Sequence, residues 1–457
     1  MTPPARGTGG EAGARLFAVA ADSEDRLRAC LAAHLERVRA GRDLPSLARY
    51  CHDARRGPAG PHRVAFAVDS YAELYRQLDE VCAGEAERIP PEVTARRPKV
   101  VFVFAGQGAQ WHGMGRELLA AEPVFRRTMH HCDRLVREFA GFSPVEQLGL
   151  DAHAGRLDEL DVLQPTMISL QIALAALWRS WGVAPDAVVG HSMGEIAAAH
   201  VAGALSLRDA VMIGCRRSAL LRRIAGKGAL ALTELSPAEA RAVAEAAGGG
   251  ISVAGENSPR STVLAGDTRS LSALVEELDR RDVYCRVIKG TVASHSHYVE
   301  ELREDLHAAL DSLEPTPTRV PMYSTVTAEP VPGTSLGAAY WMRNLREPVR
   351  LSAAVENLLA AGHEVFVEVS AHPVLLSPIR QTLEHGERQG WLLPSGRRRA
   401  ERRSLLSSLG TLYVCGREPD WSALSPAGAP TALTPYQAAV LDAVRMPRPE
   451  PAAAASR

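Results

Sequence analysis

The residues best suited to chemistry in this sequence surround Ser192. A short apolar run ends at Gly190, and the segment His191–Gly194 precedes helix-forming residues that begin at Glu195. Strand, sharp turn and helix in this order are typical of a nucleophile elbow, in which small residues on both sides of a serine permit a strained turn. The backbone N–H groups at a helix start lack intrahelical acceptors and can bind a developing oxyanion. The sequence therefore predicts Ser192 as a catalytic nucleophile.

A second match to G-x-S-x-G, Gly333–Gly337, follows Val331-Pro332 and has no apolar strand before it, so it predicts a loop. A serine at neutral pH needs a base within hydrogen-bond reach. Among 15 histidines, His295 is the preferred base because it lies among small residues that leave its ring accessible. Spacing alone does not place it beside Ser192.

Three further side chains are candidates for ligand contact. An apolar strand over 100–104 runs into a glycine-rich turn, but Trp111 stands where a dinucleotide fingerprint needs its third glycine, so no nucleotide cofactor is predicted. Gln107 in this turn either contacts a ligand or faces water. Arg216 and Arg217 are adjacent in an apolar helical stretch and cannot both face the core. The inward one needs an anionic partner.

The composition bounds the class of protein that must hold these residues. The chain has 457 residues, of which 46% are hydrophobic and 5% aromatic, and no apolar run is judged long enough to span a bilayer. A net charge of -1 gives no pull toward nucleic acid or membrane. The seven cysteines are scattered without a C-x-x-C pair, which predicts buried reduced thiols, no disulfide framework and no metal site. These features predict a soluble, cytoplasmic globular protein of several units.

Alternating helix and strand patterns divide the chain into seven segments. We expect a disordered lead-in (1–14), a small α/β linker domain (15–98), a large α/β subdomain in two parts (99–228 and 291–387), an inserted small subdomain (229–290), a second linker (388–446) and a disordered tail (447–457). The insert reads strand, helix, strand, strand, helix, strand, which is the ferredoxin-like order. Within these units, helices are predicted over 167–181, 345–362 and 401–412.

Five sequence blocks together resemble the acyltransferase domains of modular polyketide synthases over residues 100–383. They are Gly106-Gln107-Gly108-Ala109-Gln110-Trp111, Gly190-His191-Ser192-Met193-Gly194-Glu195, Val292-Ala293-Ser294-His295, Tyr340-Trp341-Met342-Arg343-Asn344-Leu345 and Glu368-Val369-Ser370-Ala371-His372-Pro373. The resemblance implies an α/β-hydrolase-like large subdomain. The preceding unit resembles the linker between ketosynthase and acyltransferase, and residues 404–438 resemble a diverged post-acyltransferase linker.

The resemblance also implies a reaction. Ser192 attacks an acyl-CoA thioester with His295 as general base, a backbone carbonyl orients the histidine, and the acyl group passes to the phosphopantetheine thiol of an acyl carrier protein. The backbone N–H groups of Met193 and Gln107 stabilise the oxyanion. Arg217 pairs with the free carboxylate of a malonyl-type extender unit. The domain itself binds no cofactor or metal, and an adjacent ketosynthase is an expected partner.

The resemblance further places His191, Gln164 and the segment Val292, Ala293 and Ser294 at the substrate, with a turn residue before Pro165 as the alternative for Gln164. Malonyl-selective relatives commonly carry phenylalanine where Ser294 stands, so the smaller side chain predicts a 2-alkylmalonyl substrate, with methylmalonyl first. Val292 and Met193 replace the tyrosine and glutamine usual in methylmalonyl relatives, which leaves ethylmalonyl or a longer chain open.

Two rival functions use the same residues. A serine thioesterase or hydrolase needs the elbow and the histidine, and a catalytically dead scaffold would only dock a carrier protein. Arg217 and the inserted subdomain favour transfer over hydrolysis, and retention of Ser192, His295 and Arg217 together argues against the scaffold. The flanking linkers suggest a piece of a larger synthase rather than a discrete enzyme acting in trans.

Overall fold

The computed structural model describes residues 13–57, 59–85, 89–288 and 292–424. Residues 1–12 of the expected lead-in, the expected tail and residues 425–446 of the second linker lie outside the described residues.

The N-terminal unit is a two-stranded antiparallel sheet, and three of its helices share a hydrophobic core with the two strands. Its elements are β1 (Arg15–Ala21), α1 (Glu24–Ala40), α2 (Leu47–Ala54), β2 (His62–Val68), α3 (Tyr71–Cys82) and α4 (Pro91–Arg96). Ser23 and Ser70 cap α1 and α3 by accepting a hydrogen bond from the backbone N–H three residues on, as their positions before each helix lead one to expect. Strands and helices thus alternate along this unit, as expected of the small α/β domain predicted from the sequence.

The central unit begins with a strand that is buried along almost its whole length. Its elements up to the insert are β3 (Lys99–Phe104), α5 (Arg116–Ala121), α6 (Pro123–Ala140), α7 (Pro144–Gly149), α8 (Leu160–Ser180), β4 (Ala187–Gly190), α9 (Gly194–Ala202) and α10 (Leu207–Leu221). Strand β3 reads as an unbroken apolar run because helices cover both faces of a parallel sheet.

Helix α8 corrects two expectations. It begins at Leu160 rather than near Met167, and Pro165 lies inside it, so Gln164 is a helical residue and not part of a turn. The helix is also long and apolar enough to cross a membrane by length and composition, contrary to the expectation that no such run exists, yet 89% of its apolar window is buried inside the protein. An all-round apolar helix of this kind is typical of the core of a large globular protein.

The insert is a four-stranded antiparallel sheet with two helices. It comprises β5 (Ala229–Thr233), α11 (Pro237–Ala246), β6 (Ile251–Ser258), β7 (Ser261–Gly266), α12 (Thr268–Arg280) and β8 (Cys285–Ile288). The strand order β6-β7-β5-β8 is the ferredoxin-like arrangement predicted from the sequence.

The chain then returns to the central unit. The remaining elements are α13 (Arg303–Ala309), β9 (Met322–Tyr323), α14 (Ala338–Arg346), α15 (Leu351–Ala360), β10 (His363–Glu368), α16 (Leu376–His385), β11 (Trp391–Pro394) and α17 (Glu401–Val414). The helix predicted over 345–362 is wrong in one respect: it is two helices, α14 and α15, separated by a break at residues 347–350. Gly333–Ser335, in the second G-x-S-x-G match, forms a short 3₁₀ turn.

The central sheet is fully parallel, with the order β11-β10-β3-β4-β9. Because β11 pairs with β10, the sheet extends beyond residue 387, at which the sequence analysis ended the large subdomain. Helix α17 then packs across the β1–β2 sheet, where Gly410 lies against Ala65 and Leu16. Through α17, the second linker therefore packs against the N-terminal unit and connects it to the central one.

Candidate active site

The turn between β4 and α9 is a strained elbow. Ser192 has a φ of 52°, a left-handed conformation that costs free energy in a residue other than glycine. The flanking glycines are required by space: a Cβ on Gly190 would lie 2.3 Å from the backbone N of Glu195, and one on Gly194 would lie 2.2 Å from the carbonyl oxygen of Phe104. The sequence pattern at this turn is thus explained by close backbone packing, which presents the Ser192 hydroxyl at the carboxyl end of the sheet.

His295 lies beside the Ser192 hydroxyl, although 103 residues separate them in the chain. Its Nε2 is 2.8 Å from Ser192 Oγ, and its Nδ1 is 2.8 Å from the carbonyl oxygen of Glu347. Since a carbonyl can only accept, Nδ1 carries the proton and Nε2 presents its lone pair to the hydroxyl. The geometry suits removal of the serine proton by the neutral imidazole.

Burial keeps this imidazole neutral. Loss of hydration and, to a smaller extent, the nearby positive charge of Arg217 lower the pKa of His295 to about 3, while the hydrogen bond to Glu347 opposes the shift. His295 is only 5% exposed. The side chain is therefore an unprotonated base throughout the physiological pH range.

Arg217 is the inward member of the arginine pair, and Arg216 is the more exposed one. Only 1% of Arg217 is exposed, and burial lowers its pKa to about 10. Nη1 donates to Gln164 Oε1 at 2.9 Å, and Nη2 lies 3.3 Å from Ser192 Oγ. No hydrogen-bond acceptor among the described residues reaches its Nε. The guanidinium therefore offers Nε and Nη2 side by side to an anion bound next to Ser192.

These groups surround one cavity of about 260 Å³ between the central unit and the insert. The cavity is lined by eight of the predicted site residues, namely Gln107, Gln164, His191, Met193, Arg217, Val292, Ser294 and His295, together with Ser192 itself. Ala293 is the exception. It is buried with its methyl group near Gly228, and it is not among the residues that line the cavity.

The insert contributes a polar contact that the sequence analysis missed. Asn257, at the end of β6, accepts a hydrogen bond from Nε2 of His191 through its Oδ1 at 2.8 Å. Beside it, β6 is joined to the central unit because Glu256 N donates to Val349 O and Val349 N donates to Ala254 O. The insert thus contacts His191, which precedes Ser192, and Val349, which lies close in sequence to the carbonyl that orients His295. No sequence motif around Asn257 indicated this contact.

Glu195 is a second residue whose place in the site was not predicted. Its carboxylate is fully buried and accepts hydrogen bonds from Thr325, Tyr340 and Asn344. Burial raises the pKa of Glu195, and these donors oppose that shift. The sequence could have indicated this contact, because Glu195 is the last residue of the second sequence block and Tyr340 and Asn344 belong to the fourth.

Glu368 explains the fifth block in the same way. The backbone N–H groups of Val374, Leu375 and Leu376 all donate to its carboxylate, as does the hydroxyl of Ser370. Burial raises the pKa of Glu368 to about 7, although the four donors favour the ionised form. Because Val374 and Leu375 line the cavity, this carboxylate fixes one wall of it.

Comparisons with known proteins agree with this architecture. Residues 101–419 match the family model described as the acyl transferase domain. The chain is 39% identical over 383 residues to erythronolide synthase EryA2 of Saccharopolyspora erythraea, and 41% identical over 427 residues to a mycocerosic acid synthase-like polyketide synthase of Mycobacterium tuberculosis. These alignments cover 82% and 92% of this chain but only 11% and 20% of the relatives, so the chain spans a small part of their length.

Solved structures give the same result at the level of the domain. The acyltransferase domain from module 8 of the salinomycin polyketide synthase is 35% identical with a TM-score of 0.83, over 90% of this chain and 98% of that one. The acyltransferase domain of SpnD is 26% identical with a TM-score of 0.79, over 92% of this chain and 99% of that one. The predicted fold class, an α/β-hydrolase-like core with a ferredoxin-like insert, is confirmed. This chain therefore belongs to the acyl transferase domain family, as an acyltransferase domain of the kind found in modular polyketide synthases.

Proposed function

We propose that this domain loads a 2-alkylmalonyl extender unit, methylmalonyl first, from CoA onto the phosphopantetheine thiol of an acyl carrier protein through an acyl ester on Ser192. The observation that carries the proposal is the buried Arg217 guanidinium, which lies beside the Ser192 hydroxyl with Nε unpaired among the described residues. A buried cation in that place fits a substrate that carries a carboxylate near its thioester.

In the first half-reaction, His295 Nε2 removes the proton of Ser192 Oγ as the oxygen attacks the thioester carbonyl carbon. The tetrahedral intermediate places its negative charge on the former carbonyl oxygen. The backbone N–H groups of Met193 and Gln107 are proposed to donate to that oxygen, each donor lowering the barrier by about 3 kcal/mol. Collapse breaks the carbon–sulfur bond, and the CoA thiolate leaves with the proton held by His295.

The second half-reaction reverses these steps with a different thiol. The phosphopantetheine thiol gives its proton to His295 Nε2 and attacks the ester carbonyl carbon. The carbon–oxygen bond breaks, and Ser192 Oγ recovers the proton. The neutral state of His295 suits both halves because the base must be unprotonated before each attack.

The space beside the α-carbon supports a branched substrate. Ser294 and Val292 line the cavity with small side chains, and Met193 is buried against it. A relative with this fold, the SpnD domain, was solved in complex with 2-(pent-4-yn-1-yl)malonyl. An apolar pocket discriminates one methylene by only about 1–3 kcal/mol, so we expect preference for methylmalonyl with some acceptance of malonyl and of larger alkylmalonyl groups.

The carrier protein, an adjacent ketosynthase and a cytoplasmic setting belong to the same proposal. The domain boundaries predicted from the sequence are also part of this proposal, except that the second linker is now placed after β11. No cofactor is required besides the CoA thioester and the phosphopantetheine of the partner.

The test is intact-mass measurement after exposure to an equimolar mixture of malonyl-, methylmalonyl- and ethylmalonyl-CoA. We expect a methylmalonyl adduct that is absent in Ser192→Ala and that disappears when a carrier protein with its phosphopantetheine arm is added. Dominance of the malonyl adduct would refute the assignment of the extender unit. Rapid CoA release that ignores the carrier, with no adduct on Ser192, would support the hydrolase instead.

A further inference from the structure

One short segment at the end of α14 touches both members of the Ser192–His295 pair. The carbonyl oxygens of Leu345 and Glu347 accept hydrogen bonds from the backbone N–H and from Nδ1–H of His295, at 2.9 and 2.8 Å. Asn344, in the last turn of α14, comes just before these two residues, and its side chain reaches the elbow. The position of the base and the position of the nucleophile are therefore set from the same four residues, 344–347.

Asn344 uses both hydrogens of its amide on the elbow. Its Nδ2 lies 3.2 Å from the carbonyl oxygen of Ser192 and 2.9 Å from Oε2 of Glu195. These two acceptors lie on either side of the turn that begins at the left-handed residue Ser192. The amide thus links the two ends of the strained turn, which a side chain with a single donor cannot do.

Glu195 anchors Asn344 in return. The Tyr340 hydroxyl donates to the same Oε2 at 2.6 Å, and Thr325 donates to Oε1. Tyr340 and Asn344 are four residues apart and so lie on one face of α14. The carboxylate is fully buried, and its donors compensate in part for its desolvation.

The amide oxygen of Asn344 lowers the stability of the fold. Its Oδ1 is buried, and no donor among the described residues reaches it. The opposite amide orientation would turn Oδ1 toward the Glu195 carboxylate, so the observed orientation follows from charge. An orphan buried acceptor is a cost that a purely structural residue would avoid.

On the basis of the function proposed above, we propose that Asn344 is a positioning residue for acyl transfer. It holds the backbone of Ser192 in register with the imidazole that Leu345 and Glu347 hold, so that Oγ and Nε2 keep their 2.8 Å separation. Near-attack geometry of this kind is sensitive to displacements of about 1 Å, which cost roughly 100-fold in rate. In this role Tyr340, Asn344 and Glu195 act together, because Tyr340 and Asn344 both donate to the Glu195 carboxylate next to the elbow.

A double variant tests the bond from Asn344 to Ser192 separately from the bond between Asn344 and Glu195. In Asn344→Asp with Glu195→Gln, the new glutamine amide donates to the new carboxylate, so the contact between positions 195 and 344 is kept with its charge on the other side. The aspartate only accepts, so the carbonyl oxygen of Ser192 loses its donor. Because the glutamine Nε2 takes the place of the oxygen to which Tyr340 donates, we expect a lower melting temperature. At a temperature where the variant is fully folded, kcat for methylmalonyl transfer should fall by about 10- to 100-fold and KM should stay unchanged.

The matched control is Asn357→Ala. Asn357 makes the same kind of bond, from Nδ2 to the carbonyl oxygen of Ala328 at 3.1 Å, but it does not line the cavity. This variant should lose stability without losing kcat. A double variant with wild-type kcat, or with kcat lowered only in proportion to its folded fraction, would overturn the proposal.

A second measurement makes the outcome independent of the extender unit. The rate at which a small organophosphorus fluoride labels Ser192 reports the nucleophile and its base without a substrate carboxylate for Arg217 to bind. The double variant should be labelled about 10- to 100-fold more slowly than the wild type, and equal labelling would overturn the role of Asn344. If the wild type is labelled but gains no acyl group from any malonyl-type CoA, the proposed function fails while the test of Asn344 still stands.

Discussion

Replacing Arg217 with leucine should change which acyl groups the domain accepts. The side chain holds Gln164 through Nη1, which leaves Nε and Nη2 for a substrate carboxylate. Each charge-assisted hydrogen bond contributes about 1.5–3 kcal/mol, so two together amount to about 3–6 kcal/mol. Because Nη2 already lies 3.3 Å from Ser192 Oγ, we expect the lower half of this range. Arg217→Leu should therefore lower kcat/KM for methylmalonyl-CoA by about 10²- to 10³-fold.

Acetyl-CoA provides the contrast, since it has no carboxylate to lose. Its kcat/KM should stay level or rise in Arg217→Leu, because in the wild type the buried Nε–H of Arg217 has no acceptor among the described residues when acetyl is bound. The assay is quench-flow acylation of Ser192 with each CoA ester. Arg216→Leu is the matched control, since Arg216 is the adjacent and more exposed arginine and does not line the cavity.

The pH dependence gives a second check on the same variant. Burial and the positive charge of Arg217 both lower the pKa of His295, to about 3. Removing that charge raises the pKa of His295, so the acid limb of kcat/KM should move to higher pH in Arg217→Leu. Methylmalonyl acylation within tenfold of the wild type, together with an unmoved acid limb, would refute the assigned role of Arg217.

Three further outcomes are expected. In wild-type protein, kcat/KM for acylation should stay flat from pH 8 to about pH 5, because a base with a pKa of about 3 is not protonated there; a fall centred near pH 6.5 would contradict the buried neutral imidazole. Ser294→Phe should shift the adduct ratio from methylmalonyl toward malonyl by about 10- to 200-fold in a mixed-CoA mass measurement, and an unchanged ratio would remove Ser294 from the pocket wall. Gly194→Ala should markedly lower the melting temperature because its Cβ would lie 2.2 Å from the Phe104 carbonyl oxygen, whereas Gly337→Ala, with open space at its Cβ, should leave it nearly unchanged.

Local patterns were sufficient for the elements that depend on neighbouring residues. The elbow and its flanking glycines follow from the sequence because each is decided within a few residues. The ferredoxin-like insert was also predictable, since its strand and helix periods alternate over a short stretch. In contrast, the predicted start of α8 was too late in the sequence. Pro165 was expected to precede the helix, but it is tolerated inside, where packing compensates for the backbone hydrogen bond that proline cannot donate.

Sequence alone was enough to predict that Ser192 is presented at a sharp turn and that two adjacent arginines cannot both face the core, because both are consequences of local geometry. It did not determine which polar groups meet across the fold. The break at residues 347–350 was predicted as helix, yet it supplies the carbonyl that orients His295. Asn257 and Asn344 reach the elbow from positions far along the chain, on β6 and α14. Such contacts are decided only by tertiary packing, because an amide side chain carries no periodicity and acquires its partner when distant segments come together.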